Sequence, residues 1–550
     1  MIDEEVHNYT GLIYAQRSET TSPTIPEFED EKQLEDPGSS DIPHQLTREV
    51  SPSHQGEPYR DALPRSHNFG LNPPPSPYAL YSSRLSPRLN IPYFLLNPIA
   101  PDSLQTTVLE SWADAEPSQA NKDYLAQFLE DLSVIINSTL GGYGVETSKG
   151  RRRFELDVFG SVSWGGLTGR SGDLDLVLID RASPCGYIPS LWRLPPNADP
   201  PFMSSRRRQA PFNDALAKPY HLRSLAPVLT AAGMSEVLAI YSANTPIIKF
   251  QDPRAGTQCD INVNDLGGWY NSSLILHYCH IAPHLLRPLI HALKVWAFAQ
   301  DLNDAAGSRG PATMSSYCLT LMAISYLQYC GCLPNLQANV RVAIPDFPDD
   351  VSDPDVIWVG YGRDQGVKAH VGFSKSAPSG WTSRDPHLTA GGAIRGFFRY
   401  FSRSYGPSEN QFDYSSSILS VLNGGTLPRA HVAGYAKRAE LSALGYTNEE
   451  IGQVMNGRQP QVDQEENMGK GDQGIQPRNW EDRKIVVQDP FLWRKNCAGT
   501  MAGKGVDRFL TTIDATHRIL VNRGSSATLN DILSKSNPRP PDITKRRDYN

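Results

Sequence analysis

One passage, FGSVSWGGLTGRSGDLDLVLID, constrains the fold of this 550-residue chain more than any other. Residues 159–180 have the pattern of a strand end, a glycine-rich turn and a second, apolar strand. Because side chains alternate between the two faces of a strand, Asp173 and Asp175 project from the same face. The apolar residues around them belong to a core. The passage therefore predicts a mixed α/β fold with two carboxylates at the edge of a hydrophobic sheet.

The residue types in this passage indicate phosphate chemistry. Two carboxylates this close repel each other, and both stay ionised only if a cation lies between them. Gly160 and Ser161 allow backbone amides and a hydroxyl group to approach a phosphate. An Asp-x-Asp pair alone usually decorates a solvated strand edge. The combination with a small-residue turn predicts a phosphoryl- or nucleotidyl-transfer site.

A third carboxylate follows in the segment QCDINVN, where Asp260 lies on an apolar strand. We expect this strand to lie beside the one that carries Asp173 and Asp175. Three aspartates can hold two Mg²⁺ ions about 3.5–4 Å apart. One ion would lower the pKa of an attacking hydroxyl, and the other would brace a nucleoside triphosphate and the departing pyrophosphate.

The first 103 residues differ in composition from the rest of the chain. They contain 15 of the 44 prolines, and residues 1–100 contain 14 acidic and 7 basic residues, which accounts for the whole formal charge of −7. This predicts a disordered, Pro-rich acidic segment, whose PPPSP stretch at 73–77 is either a protein-binding site or a solvated spacer. The neutral remainder argues against a strongly basic nucleic-acid binder, but not against a local basic groove.

Cysteine usage and hydropathy predict the compartment. The seven cysteines are scattered and fit neither a disulfide framework nor zinc-ligand spacing. No run of about 18 apolar residues is present for a membrane span. The acidic start MIDEEVHNYTG is typical of neither a secretory signal nor a transit peptide. We therefore expect no membrane association and a reducing compartment, with the cytoplasm preferred and the nucleus possible.

The hydrophobic patterns predict two lobes, a small mixed-sheet lobe and a mainly helical lobe, with disordered N- and C-terminal tails. The predicted segments are 1–103, the disordered acidic segment; 104–148, N-terminal helices that join the helical lobe; 149–273, the sheet domain, with an insertion at about 183–218; 274–522, the helical domain, with an insertion at about 430–479; and 523–550, a disordered tail.

The motifs together resemble the terminal uridylyltransferase and cytoplasmic-type poly(A) polymerase family, within the DNA polymerase β-type nucleotidyltransferases. That family has Phe-Gly-Ser, a glycine-rich stretch, Ser-Asp-Leu-Asp-Leu and a later Asp-Ile. Further similar segments are RPLIHALKVWAFAQDLND (287–304), MSSYCLTLMAISYLQ (314–328), FFRYFSRSYG (397–406) with FDY, and VVQDPFLWRKN (486–496). The resemblance extends from about 104 to 522. It makes 149–273 the nucleotidyltransferase domain and 274–522 the central and poly(A) polymerase-associated domain.

The resemblance implies template-independent addition of AMP to RNA 3′ ends, with Mg²⁺ or Mn²⁺ as cofactor and pyrophosphate as product. It assigns catalysis and metal binding to Asp173, Asp175 and Asp260. It assigns nucleotide binding to Gly160, Ser161, Asn271, Lys294, Ser316, Tyr317, Asp489 and Lys495. Among these, Asn271 would contact the ribose, Tyr317 would stack on the base, and Ser161, Lys294 and Ser316 would contact phosphates. Without the resemblance, Lys294 would be a solvated lysine and Tyr317 a core aromatic.

Three departures from the family pattern bear on the nucleotide. Gly172 makes the loop before the first aspartate one residue longer than usual. The family often has a second lysine one helical turn after the first, and Phe298 occupies that position. Members that prefer UTP tend to have Glu and His where this chain has Leu492 and Lys495, so ATP is slightly favoured over UTP.

The expected partners are an RNA 3′ end and ATP or UTP, with possible protein partners through residues 1–103. Basic groups at 151–153, 206–208 and Lys249 are candidates for following an RNA backbone. The alternatives are a terminal uridylyltransferase or poly(U) polymerase, a catalytically silent RNA-decay scaffold, and a small-molecule nucleotidyltransferase. The three acids argue against the scaffold, and the helical lobe argues against a small-molecule substrate.

Overall fold

The computed structural model describes the following parts of the chain: residues 102–141, 152–167, 173–186, 216–241, 245–308, 310–338, 355–360, 366–403, 411–429, 483–492, 495–501 and 503–534. The predicted acidic segment lies outside them except for its last two residues. Most of the two predicted insertions and the end of the chain also lie outside the described residues.

The sheet lobe is built from the first part of the described chain. Its elements and those that precede them are α1 (Ser103–Ala115), α2 (Gln119–Leu140), β1 (Phe154–Phe159), α3 (Ser161–Trp164), β2 (Leu174–Asp180), a 3₁₀ turn (Lys218–Tyr220), α4 (Leu222–Ala231), β3 (Ser235–Ile240), β4 (Ile247–Asp252) and β5 (Thr257–Val263). The strands form one sheet in the order β1-β2-β5-β4-β3. Only β2 and β5 pair in parallel, and the other neighbours are antiparallel. The predicted mixed sheet is therefore confirmed.

The two faces of this sheet have different coverings because side chains alternate along each strand. One face carries the apolar positions of β2, β4 and β5, and α2 and α4 pack on it. Its buried residues include Leu174, Leu176, Leu178, Phe250 and Ile261. The other face carries Asp175 and Asp260. Burial of the first face fixes the register, and the register in turn fixes which residues share the acidic face.

The helical part follows the sheet. Its elements are α5 (Gly267–Ile281), α6 (Leu286–Ala299), α7 (Ser316–Tyr329), β6 (Val356–Gly360), β7 (Gly366–His370), α8 (Ala390–Phe401), β8 (Ser417–Ser420), β9 (Gly425–Pro428), β10 (Val487–Gln488), α9 (Gly503–Arg523) and α10 (Leu529–Leu533). A second core binds these elements together, with Trp296 in contact with Phe398 and Phe509 at its centre. Helices α5 and α7 are buried on nearly every side.

The prediction that residues 104–148 as a whole join the helical lobe is wrong. The helical pattern is interrupted after Ala115 near Pro117, and Ser118 caps a new helix by accepting a hydrogen bond from the Asn121 amide. Helix α1 does pack on α6 and α8, but α2 packs on β1 and α4 in the sheet core. The amphipathic pattern showed that α2 buries one face, but it did not show which lobe covers that face.

The prediction of a disordered tail from residue 523 is also wrong for its first part. Residues 524–526 form a 3₁₀ turn, and α10 follows with a capping box between Thr528 and Asp531. Leu529 and Ile532 are buried against the helical core. Gln300 Nε2 donates hydrogen bonds to the carbonyls of the last turn. Two anchoring apolar residues in a polar segment were too weak a signal to predict this helix.

Two further expectations concern the chain as a whole. All seven cysteines are free thiols, as their spacing predicted. Among the described helices, none combines the length and the apolarity that crossing a bilayer requires.

Candidate active site

The register of the two parallel strands brings the predicted acids together. Asp175 of β2 and Asp260 of β5 are direct partners across the parallel pair. Asp173 lies two residues before Asp175, just ahead of β2. Partners in register point to the same face of a sheet. The expectation from the sequence, that Asp260 lies on a strand adjacent to the first two acids, is confirmed.

Gly160 lies against the central carboxylate. Its φ is +71°, and a Cβ atom built at this position would lie 2.2 Å from Asp175 Oδ2. Only glycine combines this backbone conformation with so close an approach. The Gly160 amide donates to Ser272 Oγ at 2.7 Å, which attaches the turn to α5. Ser161 follows as the first residue of α3, so the predicted phosphate turn begins beside the acids.

Electrostatic repulsion is concentrated on Asp175. Burial, together with the nearby charges of Asp260 and Asp173, raises the pKa of this carboxyl to about 7. Lys249, the partner of Asp260 on β4, donates to Asp260 Oδ2 at 2.6 Å. Asp173 and Asp260 thus lie close enough to disfavour the charge on Asp175, and Lys249 and Lys294 partly compensate for them.

The donor set fits a hard divalent cation, since it consists of carboxylate oxygens on one sheet face. In the part of the chain that the structure describes, however, no three such groups are gathered at ligating distance of one point. The hydrogen bond from Lys249 holds an oxygen of Asp260 that a cation would need. Residues Asp173, Asp175 and Asp260 are therefore suitable ligands that need a side-chain rearrangement to share an ion.

Lys294 lies beside the predicted phosphate turn. It extends from α6, donates a hydrogen bond to the Gly166 carbonyl, and lies 5.7 Å from the centre of the Trp164 ring. Burial lowers the pKa of Lys294 to about 8, and the charge of Asp175 opposes that shift. The alternative interpretation of a solvated helix lysine is therefore wrong.

Tyr317, the predicted base-stacking residue, belongs to a hydrogen-bonded group that joins three distant segments. The Tyr317 hydroxyl on α7 donates to Asn271 Oδ1 on α5 at 2.8 Å and lies 3.5 Å from Asp489 Oδ2. Lys495 donates to the same Asp489 oxygen at 3.3 Å and lies 6.0 Å from the centre of the Tyr317 ring. Burial raises the pKa of Tyr317 well above its usual value, so this hydroxyl stays protonated.

Ser316 lies beside this group at the start of α7. Its hydroxyl donates to Asn303 Oδ1 at 3.2 Å, and the preceding residue, Ser315, caps the helix. The hydroxyl of Ser316 is therefore not used for capping, and the residue lines the cleft.

A cleft of about 710 Å³ connects the acids, the phosphate turn and the base side. Of the residues predicted for the site, those that line the cleft are Gly160, Ser161, Asp173, Asp175, Asn271, Lys294, Ser316, Tyr317, Asp489 and Lys495. Asp260 lies beside Asp175 on the neighbouring strand, in contact with Lys249, and does not line the cleft. Phe298 does line it, with 64% of its surface exposed.

The structure adds residues to the cleft that the sequence analysis did not identify. Asp265 lines it and accepts hydrogen bonds from the Thr245 hydroxyl at 2.6 Å and the Gly267 amide at 3.2 Å. Ser272, next to Asn271, fixes the phosphate turn. These polar residues follow the third acid on the same segment, but nothing in their spacing showed that they face the cleft.

Two basic groups considered for RNA binding have other partners. Arg153 makes two hydrogen bonds with the buried carboxylate of Asp180, and Arg152 pairs with Glu130. Residues 151 and 206–208 lie outside the described residues. Of the groups considered, Lys249 is the one that the structure places beside the acids.

Comparison with known proteins supports the family resemblance. A family model described as the central palm domain of mitochondrial-like poly(A) RNA polymerase matches residues 104–280. The poly(A) RNA polymerase GLD2 of Xenopus tropicalis is 30% identical over 190 residues, which cover 34% of this chain and 30% of that protein. GLD2 of Mus musculus is 24% identical over 432 residues, 76% of this chain and 75% of that protein. These matches support the resemblance to the terminal uridylyltransferase and cytoplasmic-type poly(A) polymerase family.

A further poly(A) RNA polymerase shows a similar partial match to this chain. The poly(A) RNA polymerase cid11 of Schizosaccharomyces pombe is 30% identical over 207 residues, 37% of this chain and 36% of that protein. The alignments with the GLD2 proteins of the two Xenopus species span about a third of those proteins. The predicted family resemblance is confirmed, while the activity of the whole protein is a separate question.

The fold of the family is seen in a crystal structure of a variant Cid1 poly(U) polymerase bound to MgATP. The superposition has a TM-score of 0.50 and 18% sequence identity, and it covers 78% of this chain and 98% of that one. At this identity the likeness establishes the fold alone. The predicted nucleotidyltransferase fold, a small mixed sheet with a mainly helical lobe, is confirmed.

Proposed function

We propose that this protein is a template-independent RNA nucleotidyltransferase that adds AMP to RNA 3′ ends and releases pyrophosphate. The observation that supports this best is the arrangement around one cleft. Asp173 and Asp175 line the cleft, and Asp260 lies beside Asp175 on the neighbouring strand, while the phosphate turn, Lys294 and Tyr317 also line the cleft. A nucleoside triphosphate needs all three environments. The acids would serve its reacting phosphate, the turn with Lys294 its outer phosphates, and the Tyr317 group its base.

The residues of the chain position the nucleotide. Ser161 and Lys294 would hold the phosphates, because a hydroxyl and a desolvated ammonium group both donate hydrogen bonds to phosphate oxygens. Asn271 would contact the ribose, while the ring of Tyr317 would stack on the base. Catalysis would then come mainly from positioning and from neutralisation of developing charge.

Asp173, Asp175 and Asp260 would hold Mg²⁺ or Mn²⁺. Such ions, when bound, neutralise charge on the triphosphate and lower the pKa of the attacking 3′-hydroxyl. For Asp260 to bind an ion, the hydrogen bond that its Oδ2 accepts from Lys249 would have to break.

The loop of Asp489 supports adenine as the base. Asp489 Oδ1 already accepts the amides of Phe491 and Leu492 at 3.1 and 3.0 Å, and Oδ2 accepts Lys495. Lys495 is a donor only. A uracil ring needs an acceptor for its N3–H, whereas adenine presents ring nitrogens that accept. A loop that offers a donor and an occupied carboxylate therefore favours ATP over UTP.

The test is an extension assay on a labelled short RNA, with each of the four nucleoside triphosphates separately and with Mg²⁺ or Mn²⁺. We expect a ladder of products with ATP and little extension with UTP, CTP or GTP. A ladder with UTP alone would identify a poly(U) polymerase, and no incorporation under any condition would identify a silent scaffold. Asp175→Asn serves as the inactive control.

Phe298 offers a test of the triphosphate side. Phe298→Lys adds a cation one helical turn from Lys294, and the exposed ring leaves no core cavity when it is replaced. We expect the KM for ATP to fall by up to about tenfold, roughly 1.4 kcal/mol, with the KM for RNA unchanged. Val521→Lys, at another exposed apolar position on a helix, is the matched control. An unchanged KM for ATP would place the triphosphate elsewhere.

Protein binding through residues 1–103 and a cytoplasmic location remain predictions from the sequence. A chain truncated to begin at residue 102 tests protein binding separately from catalysis, since the described site includes no residue before residue 102.

A further inference from the structure

Side chains of two helices hold the backbone of the segment that carries the phosphate turn. We call residues 160–167 the phosphate loop. At its start, the Gly160 amide donates to Ser272 of α5. At its end, three side chains of α6 donate to three of its carbonyl groups. The loop is therefore held from both sides, although only four of its residues form a helix.

The donors on α6 lie on one face of that helix. Arg287, His291 and Lys294 are separated by four and three residues, the spacing of neighbours along a helix face. Arg287 Nε donates to the Trp164 carbonyl at 2.9 Å. His291 Nδ1 lies 3.4 Å from the Leu167 carbonyl, and Lys294 donates to that of Gly166.

His291 also connects the loop to α1. Burial lowers the pKa of its imidazole, so the ring is neutral near pH 7. Since a carbonyl oxygen only accepts, Nδ1 carries the proton that points to Leu167. The other nitrogen, Nε2, then accepts the hydroxyl proton of Ser111 at 2.9 Å. One neutral histidine thus joins the phosphate loop, α6 and α1.

The loop needs such support because its path is tight. Gly165 has a φ of +77°, and a Cβ atom at Gly166 would lie 1.8 Å from the ring of Trp164. The amide of Gly166 turns back to the Ser161 carbonyl at 2.8 Å. The carbonyls of the last turn have no further helical amides to donate to them, and the side chains of α6 supply the donors instead.

We propose that Arg287 and His291 are positioning residues for the triphosphate, acting through the phosphate loop. Neither lines the cleft, whereas Ser161 and Lys294, which they set relative to each other, both do. Arg287 and His291 fix the carbonyl end of the loop on the same helix that carries Lys294. The hydroxyl of Ser161 and the ammonium group of Lys294 are thereby kept at one separation, matched to adjacent phosphates. The inference rests on the proposed function of this site.

The loss of either side chain has a specific expected consequence. Without its bonds to α6, the loop samples other positions, and binding must first restore the one that fits. The affinity for the triphosphate group should fall, while RNA binding should not change. A residue that only stabilised the fold would affect both.

The test uses the full chain with Mg²⁺, and inorganic tripolyphosphate as a probe of the phosphate site by calorimetry. We expect Arg287→Met and His291→Phe each to weaken tripolyphosphate binding and to raise the KM for ATP by about tenfold, with the KM for RNA unchanged. Arg287→Lys, which retains a donor, should restore most of the binding.

Arg395→Met is the matched control, because Arg395 also donates to a backbone carbonyl, that of Leu520 on α9 rather than one in the loop, and it pairs with Asp102. It should lower the melting temperature without altering tripolyphosphate binding. Tripolyphosphate binding by Arg287→Met and His291→Phe equal to that of the wild type would overturn the inference. So would equal losses of ATP and RNA affinity. Should Arg287→Met fail to fold, His291→Phe decides the question by the same readouts. Failure of the wild type to extend RNA would instead count against the proposed function.

Discussion

Replacing Asp175 with asparagine should abolish RNA extension, by roughly 10³-fold or more, without destabilising the protein. Asp175 lies between the phosphate turn at Gly160 and the third acid at Asp260. We therefore expect Asp175 to contribute most to binding a shared cation. An amide of the same shape keeps the packing against Gly160 but removes the negative charge that binds the ion.

The variant should remain stably folded, because the substitution removes a negative charge that Asp173 and Asp260 repel. The pKa of Asp175 is raised in the folded chain, so its charged form opposes folding at neutral pH when no metal is bound. We expect the melting temperature of Asp175→Asn without divalent ions to equal or exceed that of the wild type. Adding Mg²⁺ should raise the melting temperature of the wild type more than that of the variant.

Glu155→Gln is the matched control for this experiment. Glu155 is a half-exposed carboxylate on the neighbouring strand β1 and pairs with Arg181 at the surface. Its replacement should leave extension within twofold of the wild type. Extension by Asp175→Asn at a tenth of the wild-type rate or more would show that this carboxylate is not required and would remove the two-metal assignment.

The acids were predictable because they depend on short-range regularities. Alternation along a strand put Asp173 and Asp175 on one face, and an apolar strand around Asp260 suggested a neighbour in the same sheet. The pairing of β2 with β5 then places Asp175 and Asp260 in register, with Asp173 just ahead of β2. The family resemblance extended this to residues that no local pattern identifies, such as Tyr317 and Asn271.

Other parts of the site depend on contacts between distant segments. The bond from Tyr317 to Asn271 spans 46 residues, and that from Arg287 to the Trp164 carbonyl spans 123. A side chain that donates to a backbone carbonyl leaves no signature at the accepting position, since every residue has that carbonyl. The role of Arg287 could be seen only once the helix and the loop were placed together.

Asp180, at the other end of the strand that carries Asp175, should show the opposite behaviour. Its carboxylate is fully buried and accepts Arg153 at 2.9 and 2.8 Å and the Tyr220 hydroxyl at 2.8 Å. Removing one partner of a buried charge pair costs about 3–5 kcal/mol. Because Arg153 is partly exposed and can be hydrated, we expect Asp180→Asn to lose about 3 kcal/mol of unfolding free energy.

Activity should survive this loss, because Asp180 faces away from the cleft. Its carboxylate accepts hydrogen bonds from Arg153, Tyr220 and the Ala182 amide, none of which lines the cleft. At a temperature where the variant is folded, kcat and both KM values should stay within about twofold of the wild type. Urea denaturation followed by circular dichroism measures the stability, and a lower midpoint with an unchanged slope is the expected signature.

Tyr220→Phe provides a graded control, since it removes one hydrogen bond to the same carboxylate and should cost only about 1 kcal/mol. Equal stability of Asp180→Asn and the wild type would mean that the pair with Arg153 is hydrated rather than buried. A loss of kcat without a loss of stability would mean that this end of β2 acts on the chemistry. Together with Asp175→Asn, the variant separates the two demands on one strand. At the buried end of the strand, Asp180 stabilises the sheet lobe. At the open end, the charge of Asp175 lowers the stability of the fold unless a bound cation compensates for it.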